Sequence, residues 1–326
     1  MGFFELILFP FKWVVSWVIG MFHSLLTMIG MPESSGWNWT LSIILLVILI
    51  RTLLIPVFVK QIKAQRAMQE LQPEIKKLQD KYKGKKDQLS RQAMAMEQQA
   101  LFKEHGTSPF SACLPMLVQM PFFFALYQVL IGVARSEAGS TENIGALTPD
   151  QVHSFAASTV FGAGMSETFM GAINATGGTN FNVLFVSVVM ILLMTGSMFY
   201  MQKMLMSKNM SQAAMTGPFA QSQKMMLYIL PLVFAIGGIN FPIGVLIYWT
   251  ATNFWAVGQQ FYIIRRNPTP GSQAERELNE RREAKGLPPV GKAAKEAQEA
   301  EERAKVEETK PKGQRQQPAR KNRRKR

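Results

Sequence analysis

The side chain best placed to do something unusual is Arg51, which sits inside the apolar run SIILLVILIRTLLIP over residues 42–56. A guanidinium there binds no metal and cleaves no bond; what it can do is attract anionic groups. It lies about 11 residues, or roughly 17 Å, from the start of the apolar segment near Thr40, just past the bilayer midplane. A charge at that depth costs on the order of 2.5–3.5 kcal/mol. Two readings stand. The side chain can stretch toward the cytosolic interface near Pro56, or it can face a wet cavity open to the cytosol. Polar residues of the other apolar segments could line such a cavity: Gln119 and Gln128; Ser187, Thr195, Ser197 and Gln202; Tyr248, Trp249, Thr250, Asn253, Gln259 and Gln260. Trp249, Asn253 and Gln260 fall close to one helical face. Any one of them is most simply a hydrogen-bonding contact between helices. Their number, with no acidic residue among them, favours a hydrated groove.

Other chemistry is missing from the pattern. His23, His105 and His153 fall in three separate segments and do not form a metal site. No phosphate-binding G-x-x-x-x-G-K-[ST] loop occurs. The apolar segments carry no carboxylate, which argues against an ion-coupled transporter and an aspartyl intramembrane protease; a serine version would want an intramembrane histidine. The single cysteine, Cys113, cannot form an internal disulfide and reads as a small buried residue. The expectation is a protein that is not an enzyme and uses neither metal nor cofactor.

The elements that must position Arg51 follow from how composition is segregated. Of 326 residues 48% are hydrophobic, yet the formal charge is +14. Apolar blocks alternate with charged ones, and a bilayer core about 30 Å thick needs about 20 apolar helical residues. Continuous apolar runs, rather than ten-residue alternating ones, mean helices and not a barrel. The fold class read from this is an all-α membrane protein with a five-helix transmembrane bundle. Its spans cover residues 38–57, 109–132, 181–203, 225–241 and 242–264. Residues 1–37 read as an outer-face interfacial helix, since the run over 3–31 lacks a basic start and a cleavage site and carries Trp13 and Trp17. A sixth span is the alternative.

Orientation comes from Lys and Arg. Residues 58–108 hold 11 of them, 203–224 hold 3 and the chain from Arg265 onward holds 19. The positive-inside rule places these blocks in the cytosol and the N-terminus outside. The 133–180 loop sets Arg135 against Glu137, Glu142, Asp150 and Glu167, and so lies outside. The protein is therefore expected to be a multi-pass membrane chain with its C-terminus in the cytosol.

Residues 58–108 read as a cytosolic helical hairpin. Leu71, Ile75, Leu78 and Tyr82 repeat at 4-3-4 spacing, and after the turn at Lys83–Lys86 so do Leu89, Ala93, Met96 and Ala100. Two such stripes predict an antiparallel coiled coil, kinked near Pro73. Residues 204–224 form a short cytosolic loop. The tail, 265–326, carries 19 basic and 10 acidic residues with prolines at 268, 270, 288 and 289, and reads as disordered. From Lys310 it holds nine cations and no acid: Lys310, Lys312, Arg315, Arg320, Lys321, Arg323, Arg324, Lys325 and Arg326. That block binds polyanions without sequence readout, and anionic lipids and ribosomal RNA are the two available under a membrane.

Taken together, NWTLSIILLVILIRTLLIP (38–56), KAQRAMQELQPEIKKLQDKY (63–82), CLPMLVQMPFFFALYQVL (113–130), FYMQKM (199–204) and FPIGVLIYWTATN (241–253) with Gln259 and Gln260 resemble the YidC/Oxa family of membrane protein insertases. The resemblance implies a five-helix bundle with a hydrophilic groove open to the cytosol and lipid. Arg51 matches the family's groove arginine, Gln202 a groove glutamine and Trp249 an aromatic of the fifth helix. Implied partners are nascent membrane proteins, the translating ribosome, the general secretion channel and the signal recognition particle pathway. The large extracytoplasmic domain of Gram-negative members is absent from residues 1–326. The competing classes are a membrane-anchored ribosome tether or folding scaffold, which the hairpin and tail fit equally well, and a small-solute transporter.

Overall fold

A computed structural model of the chain describes residues 3–85, 87–106, 108, 114–136, 143–175, 178–210, 215 and 218–309. Cys113 and the nine cations from Lys310 lie outside the described residues. The order of elements is α1 (Phe3–Met28), α2 (Gly36–Leu53), α3 (Ile55–Lys81), α4 (Gln88–Glu104), α5 (Leu114–Arg135), α6 (Pro149–Ala157), β1 (Thr159–Val160), β2 (Ala163–Gly164), α7 (Phe169–Ile173), α8 (Phe181–Lys208), α9 (Pro218–Gly238), α10 (Ile243–Arg266), α11 (Gln273–Glu283) and α12 (Lys292–Thr309). Among the described residues α1 from Glu5, α2 and α8 are long and apolar enough to cross a membrane, and α5 and α9 hold shorter apolar stretches at Leu117–Val133 and Gln223–Gly238.

Helix α10 is the hub. It packs on α8, α2 and α5, and its first turns, Ile243 to Tyr248, are buried throughout. Trp39, Ile43 and Leu46 of α2, Leu126 and Leu130 of α5 and Val183 of α8 complete one core with Ile243 and Val245. Outward faces are apolar too: Phe185 and Leu192 on α8, Ile229, Leu232 and Ile236 on α9, Phe254 and Phe261 on α10. Apolar rows of that extent do not face water in a monomer. In lipid, close packing and interhelical hydrogen bonds hold such a bundle together, because lipid tails are as apolar as the side chains.

Helix α2 stops at Leu53, not 57. Leu54 leaves helical geometry (φ −87°, ψ 0°) and Pro56 begins the next helix, where its missing N–H costs nothing. Because α2 starts at Gly36, Arg51 sits in its last turn, about 22 Å along the axis. That is closer to the C-terminal end of the helix than the expected position just past the midplane. The exposed carbonyls of a last turn favour a cation.

Helix α1 differs from an interfacial helix in one respect. Its exposed side is apolar (Leu6, Phe9, Trp13, Trp17, Met21, Leu25) while the buried side holds Val15, Ser16, Ile19 and His23; a surface helix shows the reverse, a charged face to water. Its C-terminal half runs beside α6, where Gln151 Nε2 donates to the Gly20 carbonyl at 3.2 Å. Its N-terminal half reaches Phe122 within α5, meeting it edge-on through Phe11 at 5.5 Å.

The hairpin forms from α3 and α4, which pack antiparallel. Phe102 joins Met68, Leu71 and Ile75 in a small cluster, and at the far end Lys81 and Tyr82 both reach Glu97 at 2.7 Å. Helix α3 runs unbroken through Pro73. The first expected stripe is correct at Leu71 and Ile75. The second is not: Leu89 (79% exposed) and Met96 (64% exposed) point away, and α4 turns Glu97, Leu101 and Phe102 inward. Polar pairing at the tip outweighs the apolar register there, so the arms meet over one short cluster rather than a full heptad seam.

Disorder from residue 265 is also corrected. Thr269 N donates to Asn209 Oδ1 at 2.9 Å and Lys208 pairs with Glu277, docking α11 on the end of α8. Ser272 caps α11 through Glu275 N, Glu275 accepts from Gly271 N at 2.6 Å, and Asn279 exchanges two hydrogen bonds with Val290. Caps and side-chain to backbone bonds order this segment in place of an apolar core.

Candidate functional site

Three helices bring their polar residues together near the C-terminal end of α2, beside an aromatic ring of α3. Gln119 Nε2, on α5, donates to the Tyr248 hydroxyl of α10 at 2.6 Å. Tyr248 is 3% exposed, so its hydroxyl requires a partner and finds one across the helix interface. Arg51 of α2 lies within electrostatic range of the same hydroxyl, and its guanidinium stands 5.0 Å from the ring centroid of Phe58 on α3. Phe58 lies seven residues beyond Arg51, about two helical turns on, and helical hydrogen bonds continue across Leu54. An aromatic face attracts a cation by about 0.5–1 kcal/mol at exposed sites and more when water is excluded. Among the described residues no carboxylate pairs with Arg51.

The other expected residues are placed as follows. Trp249 sits half-buried among Phe123 of α5 (4.6 Å), Phe234 of α9 (4.5 Å) and Phe241, an aromatic wall adjoining the Tyr248 contact. Gln202 donates to Gln223 Oε1 at 3.0 Å and ties α8 to α9. Asn253 is closed into the α8–α10 interface, its Nδ2 donating to the Met194 carbonyl (3.1 Å) and Ser197 Oγ (3.2 Å). Thus Arg51 and Gln119 converge on Tyr248, Trp249 adjoins them through its aromatic neighbours, and Asn253 holds two helices together. The residues that sequence reasoning left out are Tyr248 as the shared partner, Phe58 and Gln223. Tyr248 was legible as a polar residue in the fifth span, but only the folded register shows that it points to Gln119.

The end of the bundle where α2 and α10 begin is closed. Trp39 Nε1 donates to Ser154 Oγ at 3.1 Å, Ser154 in turn donates to the Glu33 carbonyl at 2.7 Å, and His23 donates to the same carbonyl at 2.9 Å while stacking on Trp39. Below these, Ile243 N and Gly244 N donate to the carbonyls of Glu167 and Met165. Residues 143–175 form a cap over the start of α10.

A family model described as 60Kd inner membrane protein matches residues 30–270. The chain belongs to this family. The membrane protein insertase YidC of Streptomyces avermitilis is 50% identical over 270 residues, covering 82% of this chain and 60% of that one. That of Tropheryma whipplei strain Twist is 40% identical over 329 residues, covering 99% and 97%. The Bifidobacterium longum protein of the same name is 33% identical over 335 residues, covering 99% and 96%. The chain thus spans 60% of the Streptomyces relative's length and nearly all of the other two. Membership of this insertase family, with apolar helices of spanning length, makes it a multi-pass bacterial membrane protein.

Proposed function

We propose that the protein inserts nascent membrane proteins into the bilayer through a hydrophilic groove between α2, α5, α8, α9 and α10, without nucleotide hydrolysis. The observation that carries this is the convergence of Arg51, Gln119 and Tyr248 inside an otherwise apolar bundle whose outer end is capped. A polar segment of a client that enters from the cytosol keeps hydrogen-bonding partners, and Arg51 attracts any acidic residue within it. Apolar parts then pass sideways into lipid, a downhill transfer. The five helices are the spans, with α1 leaning obliquely into the outer leaflet. The α3–α4 hairpin, α11 and the basic end from Lys310 are cytosolic, where they meet the translating ribosome, targeting factors or anionic lipid. A tether without insertion activity accounts for the hairpin and tail; it has no use for a polar cluster within the bundle.

Labelling tests the groove. In a Cys113→Ser background, Gln119→Cys is expected to react with a membrane-impermeant maleimide added from the cytosolic side only. Protection from both sides would leave no groove for a client to enter.

A further inference from the structure

The outer cap carries a feature that its sealing role does not need. Strands β1 and β2 are joined by the two-residue turn Phe161–Gly162, and both residues have positive φ, 52° and 76°. Such turns favour Asn, Asp or Gly, because a bulky side chain is strained in the left-handed region. Phe161 is the non-glycine residue with positive φ among the described residues, and its side chain is 72% exposed. A strained, exposed aromatic persists where it has work to do.

Its place in the fold says what that work is. The turn is wedged between the first turns of α2 and α8. A Cβ on Gly36 would come within 2.1 Å of the Thr159 carbonyl oxygen, and a Cβ on Gly162 within 2.6 Å of Asn182 Nδ2. The tip is therefore locked at the level where those two helices begin. Trp37 meets Phe161 edge-on at 5.2 Å, and Phe181 at the start of α8 is likewise exposed. These rings continue the outward apolar face of α8 that runs through Phe185 and Leu192. Aromatic rings at the ends of spanning helices concentrate at the headgroup level. No charged residue occupies the β1–β2 hairpin from Thr159 to Gly164.

We propose that the Phe161 tip, with Trp37 and Phe181, is a lipid-binding anchor that seats the outer cap in the headgroup region of the outer leaflet. This rests on the reading of α2 and α8 as membrane spans. The anchor fixes the depth of the cap over α10, so the seal keeps its height while the helices below accommodate a client.

The test uses spin labels on the full chain in phosphatidylcholine–phosphatidylglycerol vesicles, with Cys113→Ser as background. A nitroxide on Thr159→Cys, two residues from the tip, reports depth through its collision rates with oxygen and a water-soluble nickel chelate. One on Leu192→Cys reports whether α8 lies in the bilayer. Expected are a deep Leu192 label and a Thr159 label at the interface. Adding Phe161→Asn, which suits the turn's backbone and so preserves the hairpin, should raise the nickel collision rate at Thr159 several-fold. A deep Leu192 label with a fully aqueous Thr159 label overturns the anchor while leaving the spans intact. An interfacial Thr159 label that Phe161→Asn does not move overturns the role of Phe161. An aqueous Leu192 label overturns the span reading and the anchor with it.

Discussion

Removing the charge of Arg51 should abolish a preference for acidic clients rather than insertion as such. Among the described residues the guanidinium has no carboxylate partner, and it rests against Phe58 and near Tyr248, so a client's carboxylate would be its first counter-charge. At a separation of about 6 Å their attraction is about 3 kcal/mol for an effective dielectric of 20 and about 0.7 kcal/mol in bulk water. A groove that is wet but walled by protein falls between these limits. With tenfold for each 1.36 kcal/mol, the rate advantage of a client bearing Asp over one bearing Asn is about 3- to 100-fold. The assay is insertion into vesicles of a pair of single-span clients that differ only at that position in the translocated segment. Wild type should favour the Asp client, Arg51→Lys should retain most of the preference, and Arg51→Ala should reduce the ratio to near one. Raising the salt should shrink the wild-type ratio only modestly, since a partly enclosed pair is poorly screened. An Asp-to-Asn ratio that is the same in wild type and Arg51→Ala would falsify the electrostatic role and leave Arg51 as a side chain reaching for the inner interface.

Three further outcomes follow from the packing. Tyr248→Phe leaves Gln119 Nε2 without its acceptor, which should cost about 1–3 kcal/mol and lower the unfolding temperature in detergent, whereas Gln119→Leu combined with Tyr248→Phe should recover part of the loss. Asn253→Ala removes two interhelical bonds worth about 0.6–1.7 kcal/mol each; thermal unfolding should register it, and the client preference set by Arg51 should not change. At the hairpin tip, hydrogen bonds from Lys81 and Tyr82 hold the Glu97 carboxyl below its ordinary value of 4.5. That contribution is present above pH 4.5 and fades as pH falls through the lowered value. Amide protection at the tip of α3 and α4, taken relative to the intrinsic exchange rate at each pH, should therefore fall on acidification from pH 6 toward 3, by a small amount since the groups are exposed, and Glu97→Gln should remove that fall.

Which parts were legible in the sequence follows from what each signal measures. Apolar run length found α2, α8 and the approximate course of α5, α9 and α10, because lipid exposure demands apolar residues on every outward face. It overran the end of α2 by four residues, since Leu54, Ile55 and Val57 continue the apolar run and only Pro56 marks the break. The α4 register was misread because period alone ignores the pull of Glu97 on Lys81 and Tyr82. Charge counting treated residues 265–291 as disordered, although the capping pattern Ser272-x-x-Glu275 was there to be read. The same applies to Thr148-Pro149-Asp150-Gln151, whose reciprocal cap starts α6 in a loop that had no assigned structure. At the site, residue types indicated Arg51, Gln119 and Trp249, but nothing in one dimension brings Gln119 to Tyr248 across 129 positions.

The most direct measurement is insertion by the purified protein alone, reconstituted in liposomes without nucleotide and offered a small single-span client. The account predicts a protease-protected client fragment well above that in empty liposomes, with the Arg51→Ala protein retaining activity toward an uncharged client. No protection, with the reconstituted protein folded and correctly oriented, would contradict autonomous insertion and leave a tether that works only beside another channel.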